Sequence, residues 1–414
     1  MACTLNSRWS APPTITLLLV LAVSLGAQDW PQFLGPNRDG RYIGPPLARS
    51  WPDGRPREVW RREVGQGFAG PVVAGDRVIV FQREENAEVV EALDMHSGDT
   101  EWRYEYPTTY RDDFGFDEGP RAAPVVADGR VFTFGAQGQL HVVDLETGVG
   151  IWSVDTRELF RFRKGFFGAA GSPLVEDGRV IANIGGPGAG IVAFDADSGE
   201  VLWNATEDEA GYSSPVSATF GGVRHAVFFT RNGLVGLDPA TGRVRFTRRW
   251  RSRLGASVNA ATPLVIDDFV FVSATYGTGA GLFRVDGLQL NEVWSSDEIM
   301  SNHYATSVYH DGHLYGYHGR QEYSPSLRAV ELSTGNVKWD IERFGAGTLT
   351  VAGNLLVIVR EMGEVVLANA SPRAFEPVER AEILPPMIRA YPALANGLLY
   401  VRNENTLVCL DLRP

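Results

Sequence analysis

The sequence predicts an all-β fold, an eight-bladed β-propeller of four-stranded antiparallel blades. Three observations predict it. A short phrase (an acid, two residues, Ser or Thr, Gly, three residues, an aromatic) recurs at Asp94–Trp102, Asp144–Trp152, Asp195–Trp203, Asp238–Phe246 and, with Glu leading, Glu331–Trp339. A degraded copy, Asp286 to Trp294, keeps the spacing and loses the Gly. Between these lies a second phrase, an apolar pair, a tight polar turn and another apolar run, as in Pro124-Val-Val-Ala-Asp-Gly-Arg-Val131. Finally, the two chain ends are complementary fragments of one repeat. Self-similarity at this period means a repeat architecture, and four strands per radial unit is a propeller blade.

Residues 1–27 read as an export signal: Arg8, an apolar run from Ile15 to Leu25, then small residues at Ser24, Gly26 and Ala27. The run is short of the roughly 20 residues that span a bilayer, so a signal is favoured over an uncleaved anchor, and no transmembrane anchor is expected. Export places the mature protein in the periplasm or the extracellular space. Cleavage would remove Cys3 and leave Cys409 alone, so no internal disulfide can form. Cys409 lies in the apolar stretch Leu407–Leu412 and is expected to pack in the core.

Residues 28–54 form an N-terminal extension, and residues 55–414 the propeller. Eight first strands are expected, beginning near 71, 124, 173, 215, 263, 307, 349 and 392. In the second repeat the strands fall near Ala123–Ala127, Val131–Gly135, Leu140–Leu145 and Ile151–Val154. Asp128-Gly129, Asp177-Gly178, Asp311-Gly312 and Asn396-Gly397 are two-residue hairpin turns. The last repeat stops at Leu412, after a third strand, and Glu58–Val64 supplies a fourth strand with no predecessors. Joining them closes the ring and removes open sheet edges. Trp60, Trp102, Trp152, Trp203, Phe246, Trp294 and Trp339 occupy the fourth-strand position, where a large flat side chain fills the wedge between blades.

Three connections are stretched: residues 103–120, residues 155–170, and the interval from 215 to 263 with its basic run Arg248-Arg-Trp-Arg-Ser-Arg253. All link one blade's fourth strand to the next blade's first strand, so they crowd one face of the ring, where long loops carry function. The acidic loop 111–118 could offer oxygen ligands to calcium but has no defined calcium-loop spacing, and solvated charge is its expected state. Arg157, Arg161, Arg163 and Lys164 make the neighbouring insertion basic, which suits salt bridging between the two.

The aspartate–glycine–tryptophan phrase resembles the blade repeat of the PQQ-like propeller superfamily, which includes quinoprotein alcohol dehydrogenases and BamB-type outer-membrane assembly lipoproteins. The likeness runs from about residue 55 to 414, and Asp29-Trp-Pro-Gln-Phe-Leu-Gly-Pro-Asn-Arg-Asp-Gly40 is similar to the start of exported propellers of unassigned role. The quinoprotein branch implies PQQ, a calcium ion held by Glu, Asn and Asp, and an adjacent Cys pair; here no two Cys are adjacent and no motif fixes the three ligands. The BamB branch implies a lipid-accepting Cys after the signal, and none follows it.

Residues just ahead of each first strand should ring the funnel: Phe68, Arg121, Ala170, Tyr212, Ala260, Tyr304, Ala346 and Arg389, with Asn259 and His303 one position earlier. Arg121, Tyr212, Asn259, His303, Tyr304 and Arg389 are the candidate ligand-binding residues. Arg121 suits an anionic ligand or peptide carboxylate; the alternative is a pairing with Asp117 or Glu118 in its own loop. His303 is a candidate hydrogen-bonding or ligand group, and the four His between 303 and 318 do not converge as a metal site, because His310 and His313 lie at the far end of their hairpin. No metal site and no catalytic set is assigned, and Gly185–Gly190 is not followed by the helix a phosphate cradle needs.

A net charge of −12, or −13 after loss of residues 1–27, argues against nucleic acid as a partner. The expected function is a monomeric, non-enzymatic binding or assembly scaffold that engages a protein or peptide at the loop-rich face, with exposed outer strands also able to pair with a partner's extended segment. The alternative is a PQQ- and calcium-dependent dehydrogenase of alcohols or sugars with its site in the funnel. A hydrolase or lyase site at His303 and Arg121 is a third, weaker option.

Overall fold

The computed structural model describes residue 1 and residues 29–414. The expected export signal lies outside the described residues except for Met1. The rest is a β-propeller of eight four-stranded antiparallel sheets, one of which gains a fifth, parallel strand from the N-terminal extension. Blade 1 runs through Val72–Ala74, Arg77–Glu84, Ala87–Asp94 and Thr100–Pro107. Blade 2 runs through Val125–Ala127, Arg130–Phe134, Gln139–Asp144 and Gly150–Asp155, within two residues of the expected bounds. Blades 3 to 8 begin at Leu174, Val216, Leu264, Val308, Gly347 and Ala393.

The first hairpin of each blade is tight because its turn residues tolerate left-handed backbone. In blade 2, Asp128 and Gly129 take φ of 48° and 70°, the two positive values a type I′ turn requires. The eighth sheet draws on both chain ends: Arg57–Glu63 pairs antiparallel with Thr406–Asp411, placing Trp60 opposite Cys409. First strands of neighbouring blades touch around the central channel, and Val72–Ala74 meets both Val125–Ala127 and Ala393–Ala395.

The core lies between blades. Phe132, Phe134 and Val142 of blade 2 pack with Val180, Ala182 and Phe194 of blade 3, for example. Every pairing of third and fourth strands carries a register shift, as between Ala92 and Leu93 and between Gly150 and Trp152. That bulge turns the Trp toward the next blade. Trp60, Trp102 and Trp152 each donate their indole N–H to a carbonyl just past the next blade's third strand: Met95 at 2.9 Å, Leu145 at 2.8 Å and Ala196 at 2.9 Å. Trp203, Trp294 and Trp339 do the same to Pro239, Leu332 and Ser371.

Phe246 departs from this set. It has no N–H to donate, and its ring stacks on His225 of its own blade. The donor across that junction is Trp250, whose indole N–H reaches Gly279 O at 3.1 Å. At the blade 7–8 junction the strand Pro377–Glu382 has no Trp, and Trp51 of the N-terminal extension is buried there in the core with Trp60 and Val378.

The extension is a plug. Trp30 pairs with Val73 on blade 1, and Val126 N of blade 2 donates to Pro31 O at 2.8 Å. The buried Arg38 guanidinium donates to Pro173 O at 2.5 Å and Pro215 O at 2.8 Å on blades 3 and 4. Burial lowers the Arg38 pKa to about 9. Arg41–Tyr42 then pairs in parallel with Val351–Ala352 of blade 7. The segment therefore crosses the channel and ties opposite sides of the ring together. Among the described residues one short α-helix, Thr156–Phe160, interrupts the β structure, capped by Asp155, whose carboxylate accepts from Glu158 N.

Candidate functional site: a blind funnel with an aromatic rim

First strands run from the face that carries the two long insertions toward the face that carries the hairpin turns. The residues ahead of them therefore converge at the insertion face. There the channel opens as a cavity of about 510 Å³. Its floor is Phe33 of the plug, whose ring meets Tyr391 edge-on at 4.7 Å. The plug converts a through-channel into a blind funnel.

Arg121, Tyr212, His303, Tyr304 and Arg389 all line this cavity, as do Phe68, Ala170 and Ala260. Ala346 does not reach it, and neither does Asn259. The Asn259 amide is buried and donates instead to Thr230 O at 2.8 Å and Trp250 O at 2.9 Å, so it braces the loop behind the wall. It was expected among the ligand-binding residues; its side chain points the other way from those of its neighbours, Val258 and Ala260.

Arg121 is held from three sides. Its guanidinium donates to Asp112 Oδ1 at 2.9 Å, Asp117 O at 2.8 Å and Gly119 O at 2.8 Å. It also lies over Tyr110 and Phe68. The pairing within its own loop is therefore present, with Asp112 as the carboxylate rather than Asp117 or Glu118. Arg389 Nε donates to Glu361 Oε1 at 2.5 Å, and its guanidinium sits over Phe68 and Phe116. The terminal Arg389 nitrogens make no hydrogen bond to any described residue.

His303 Nε2 is hydrogen-bonded with Tyr276 OH at 2.8 Å. Its Nδ1 is buried without a hydrogen-bond partner, 3.9 Å from Glu322 Oε2. Burial lowers the imidazole pKa to about 4, against a smaller opposing pull from Glu322, so His303 is neutral at pH 7. Tyr304 OH is buried with no partner, and burial holds it well above the usual phenol range. Tyr212 OH accepts from Phe167 N at 3.2 Å.

The insertions supply what the sequence reading missed. Phe114, Phe116, Phe166 and Phe167 meet at the mouth, with ring centroids 5.4–6.4 Å apart. Phe114 and Phe116 remain 55% and 51% exposed. A signal was available in the pairs Phe114-Gly-Phe116 and Phe166-Phe167, aromatic residues in long loops with no strand to bury them.

The acidic loop is not solvated charge throughout, as expected from sequence. Asp112 is buried and accepts from Phe114 N at 3.1 Å and Phe116 N at 2.9 Å, which shapes the aromatic rim. Asp117 accepts from Gly67 N and Gly119 N. Lys164 bridges the two insertions, to Asp113 at 2.7 Å.

The donor set does not suit calcium. Glu322 of the cavity wall is paired with Arg320 at 2.8 Å, and Asp112 and Glu361 behind it with Arg121 and Arg389. Among the described residues no three His, Cys, Asp or Glu side chains converge. A calcium-assisted quinone would find no acidic cage among these residues.

Known proteins agree with the architecture. The family described as outer membrane protein assembly factor BamB matches residues 88–341 and 247–413. BamB of Burkholderia pseudomallei (strain K96243) is 25% identical over 298 residues, covering 62% of this chain and 76% of that protein. The quinohemoprotein alcohol dehydrogenase ADH-IIG of Pseudomonas putida is 32% identical over 121 residues, which is 28% of this chain and only 16% of that enzyme. Among solved structures, BamB from Moraxella catarrhalis superposes with a TM-score of 0.62 at 17% identity, over 86% of this chain and 97% of that one. A europium-containing methanol dehydrogenase superposes with a TM-score of 0.70 at 12% identity, over 90% and 89%. At these identities the superpositions speak to the fold alone. The family match spans well over half of the chain, and the protein belongs to the BamB family of PQQ-like propellers.

Proposed function

We propose that this chain is an exported binding scaffold for a protein partner, and that the partner inserts an apolar segment with an acidic or acceptor group into the funnel. The observation that carries this is the exposed aromatic rim above a blind cavity. Monomeric soluble proteins seldom expose clustered large apolar side chains without a use for them. Beneath the rim, Arg389, Tyr304 and His303 present polar groups that lack protein partners, which suits an acceptor on the incoming segment. Membership of a family described by an assembly factor supports the same role.

The test is site-specific photocrosslinking in the native envelope, with a photoreactive phenylalanine analogue at position 116. A discrete protein adduct is expected, lost when Phe114→Ser and Phe167→Ser are introduced and absent when the probe sits at Val201 on an outer strand. No discrete adduct at position 116, or equal adducts at both positions, would overturn the proposal. The dehydrogenase alternative makes a separate demand, saturable PQQ binding that requires calcium. Calorimetric titration is expected to give no such heat, because the carboxylates around the funnel are engaged by arginines.

A further inference from the structure

A second concavity lies beside the funnel, between blades 4 and 5. The fourth strand of blade 4, Val244–Arg249, runs into Trp250-Arg-Ser-Arg253. A cavity of about 490 Å³ opens between this run and the turn Tyr276–Thr278. Arg249, Arg251 and Arg253 line it, and no acidic residue does. In a chain of net charge −12 this is a local inversion of sign.

The wall is built, not loose. Trp250 is buried, bonded to Gly279 O and standing edge-on against Phe283 at 5.5 Å. Ser252 Oγ donates to Tyr276 O at 2.8 Å and accepts from Leu254 N at 3.1 Å, which fastens the basic loop to the opposite turn. Arg251 is oriented by Asn232 Oδ1 at 2.8 Å and Glu209 at 3.6 Å. The side chains of Arg249 and Arg253 make no hydrogen bond or ion pair with any described residue. The Thr278 hydroxyl is buried and also lacks a partner.

Three arginines line this one groove, and like charges gathered on one surface are relieved by an anion bound among them. One guanidinium fork satisfies a carboxylate; two unengaged forks, a third cation and a hydroxyl match an oxyanion with more charge and more acceptor oxygens. We propose that this groove binds a phosphate ester, a phosphomonoester or diphosphate group. Tyr276 lines both the groove and the funnel and bonds His303, so the anion would sit directly beside the partner-binding site.

The phosphate group could belong to a soluble molecule or to a lipid headgroup, and the experiment separates them. The exported protein is titrated calorimetrically with pyrophosphate, and co-sedimented with phosphatidylcholine vesicles with and without phosphatidic acid. Arg249→Gln/Arg253→Gln, Thr278→Val and, as a distant control, Arg373→Gln are compared, with melting curves for each. Saturable pyrophosphate binding without added retention on phosphatidic acid vesicles, weakened about tenfold in the double variant, less in Thr278→Val and unchanged in Arg373→Gln, supports the site and assigns a soluble phosphate group. Binding only to vesicles that contain phosphatidic acid, with the same losses, supports the site and assigns a headgroup. No saturable binding in either arm, or binding undiminished in a folded double variant, overturns it.

Discussion

At the scale of single residues, the recurring phrase is an interlock between neighbours. Its Asp folds the turn by accepting backbone N–H groups, as Asp144 does from Thr147 at 2.8 Å. Its Gly takes positive φ and lies under the Trp of the preceding blade, and its Trp lies over the Gly of the next. A Cβ on Gly148 (φ 68°) would stand 2.5 Å from the Trp102 ring, whereas one on Gly129 (φ 70°) would meet nothing within 4 Å. The two positions share backbone strain and differ in the clash. Gly129→Ala should therefore lose about 1–2 kcal/mol, the cost of a Cβ in left-handed backbone, and Gly148→Ala a further roughly 1–3 kcal/mol, what overpacking costs. Chemical denaturation of both variants checks this; equal losses would mean that the ring contact contributes little. Periodicity alone identified these positions, because the same side-chain chemistry repeats wherever the same contact repeats. Trp250 and Trp51 escaped, since each serves a junction from outside the repeat.

Among elements, the two insertions matter most. Their placement on one face follows from strand order, which is legible in the sequence. Their inner structure is not, because it rests on contacts distant in the chain, such as Gly67 N donating to Asp117 and Lys164 reaching Asp113. Charged residues that look solvated in a linear reading turn out to hold the rim together. Asp112 is the centre of this: it pairs with Arg121, both side chains being nearly inaccessible, and it accepts from two backbone N–H groups of the Phe114–Phe116 turn. Asp112→Ala would leave Arg121 as an unpaired buried charge, a loss of about 3–5 kcal/mol. It should also open the loop 111–118 to limited proteolysis at temperatures where the wild-type loop resists. Resistance equal to wild type would show that Asp117 and the Lys164 bridge suffice.

For the whole molecule, the mixed eighth blade makes both chain ends part of one sheet. Cys409 reports on it. The thiol is buried beneath Trp60, on the strand that pairs with Arg57–Glu63, and burial pushes its pKa up to about 12. Native protein should therefore resist alkylation, since the thiolate is the nucleophile, and labelling should track release of the N-terminal strand. Labelling rates measured across a denaturant series should rise with loss of β signal if the ring opens cooperatively. Rapid labelling at zero denaturant would show that the closing blade frays on its own.

The sequence by itself determined the blade count, the strand order, the face that gathers the long loops and eight of the residues that line the funnel, from Phe68 and Arg121 to Arg389. These depend on local turn chemistry and on a repeat, both written in short stretches of chain. Only the tertiary structure decided that the N-terminal extension crosses the channel and closes its far end. It likewise decided that Asn259 faces away from the cavity, that Arg121 is engaged by Asp112, and that four Phe side chains meet at the mouth. Each of these is a contact between residues far apart in sequence and outside the repeat, selected by burial and hydrogen-bond satisfaction once the ring has formed.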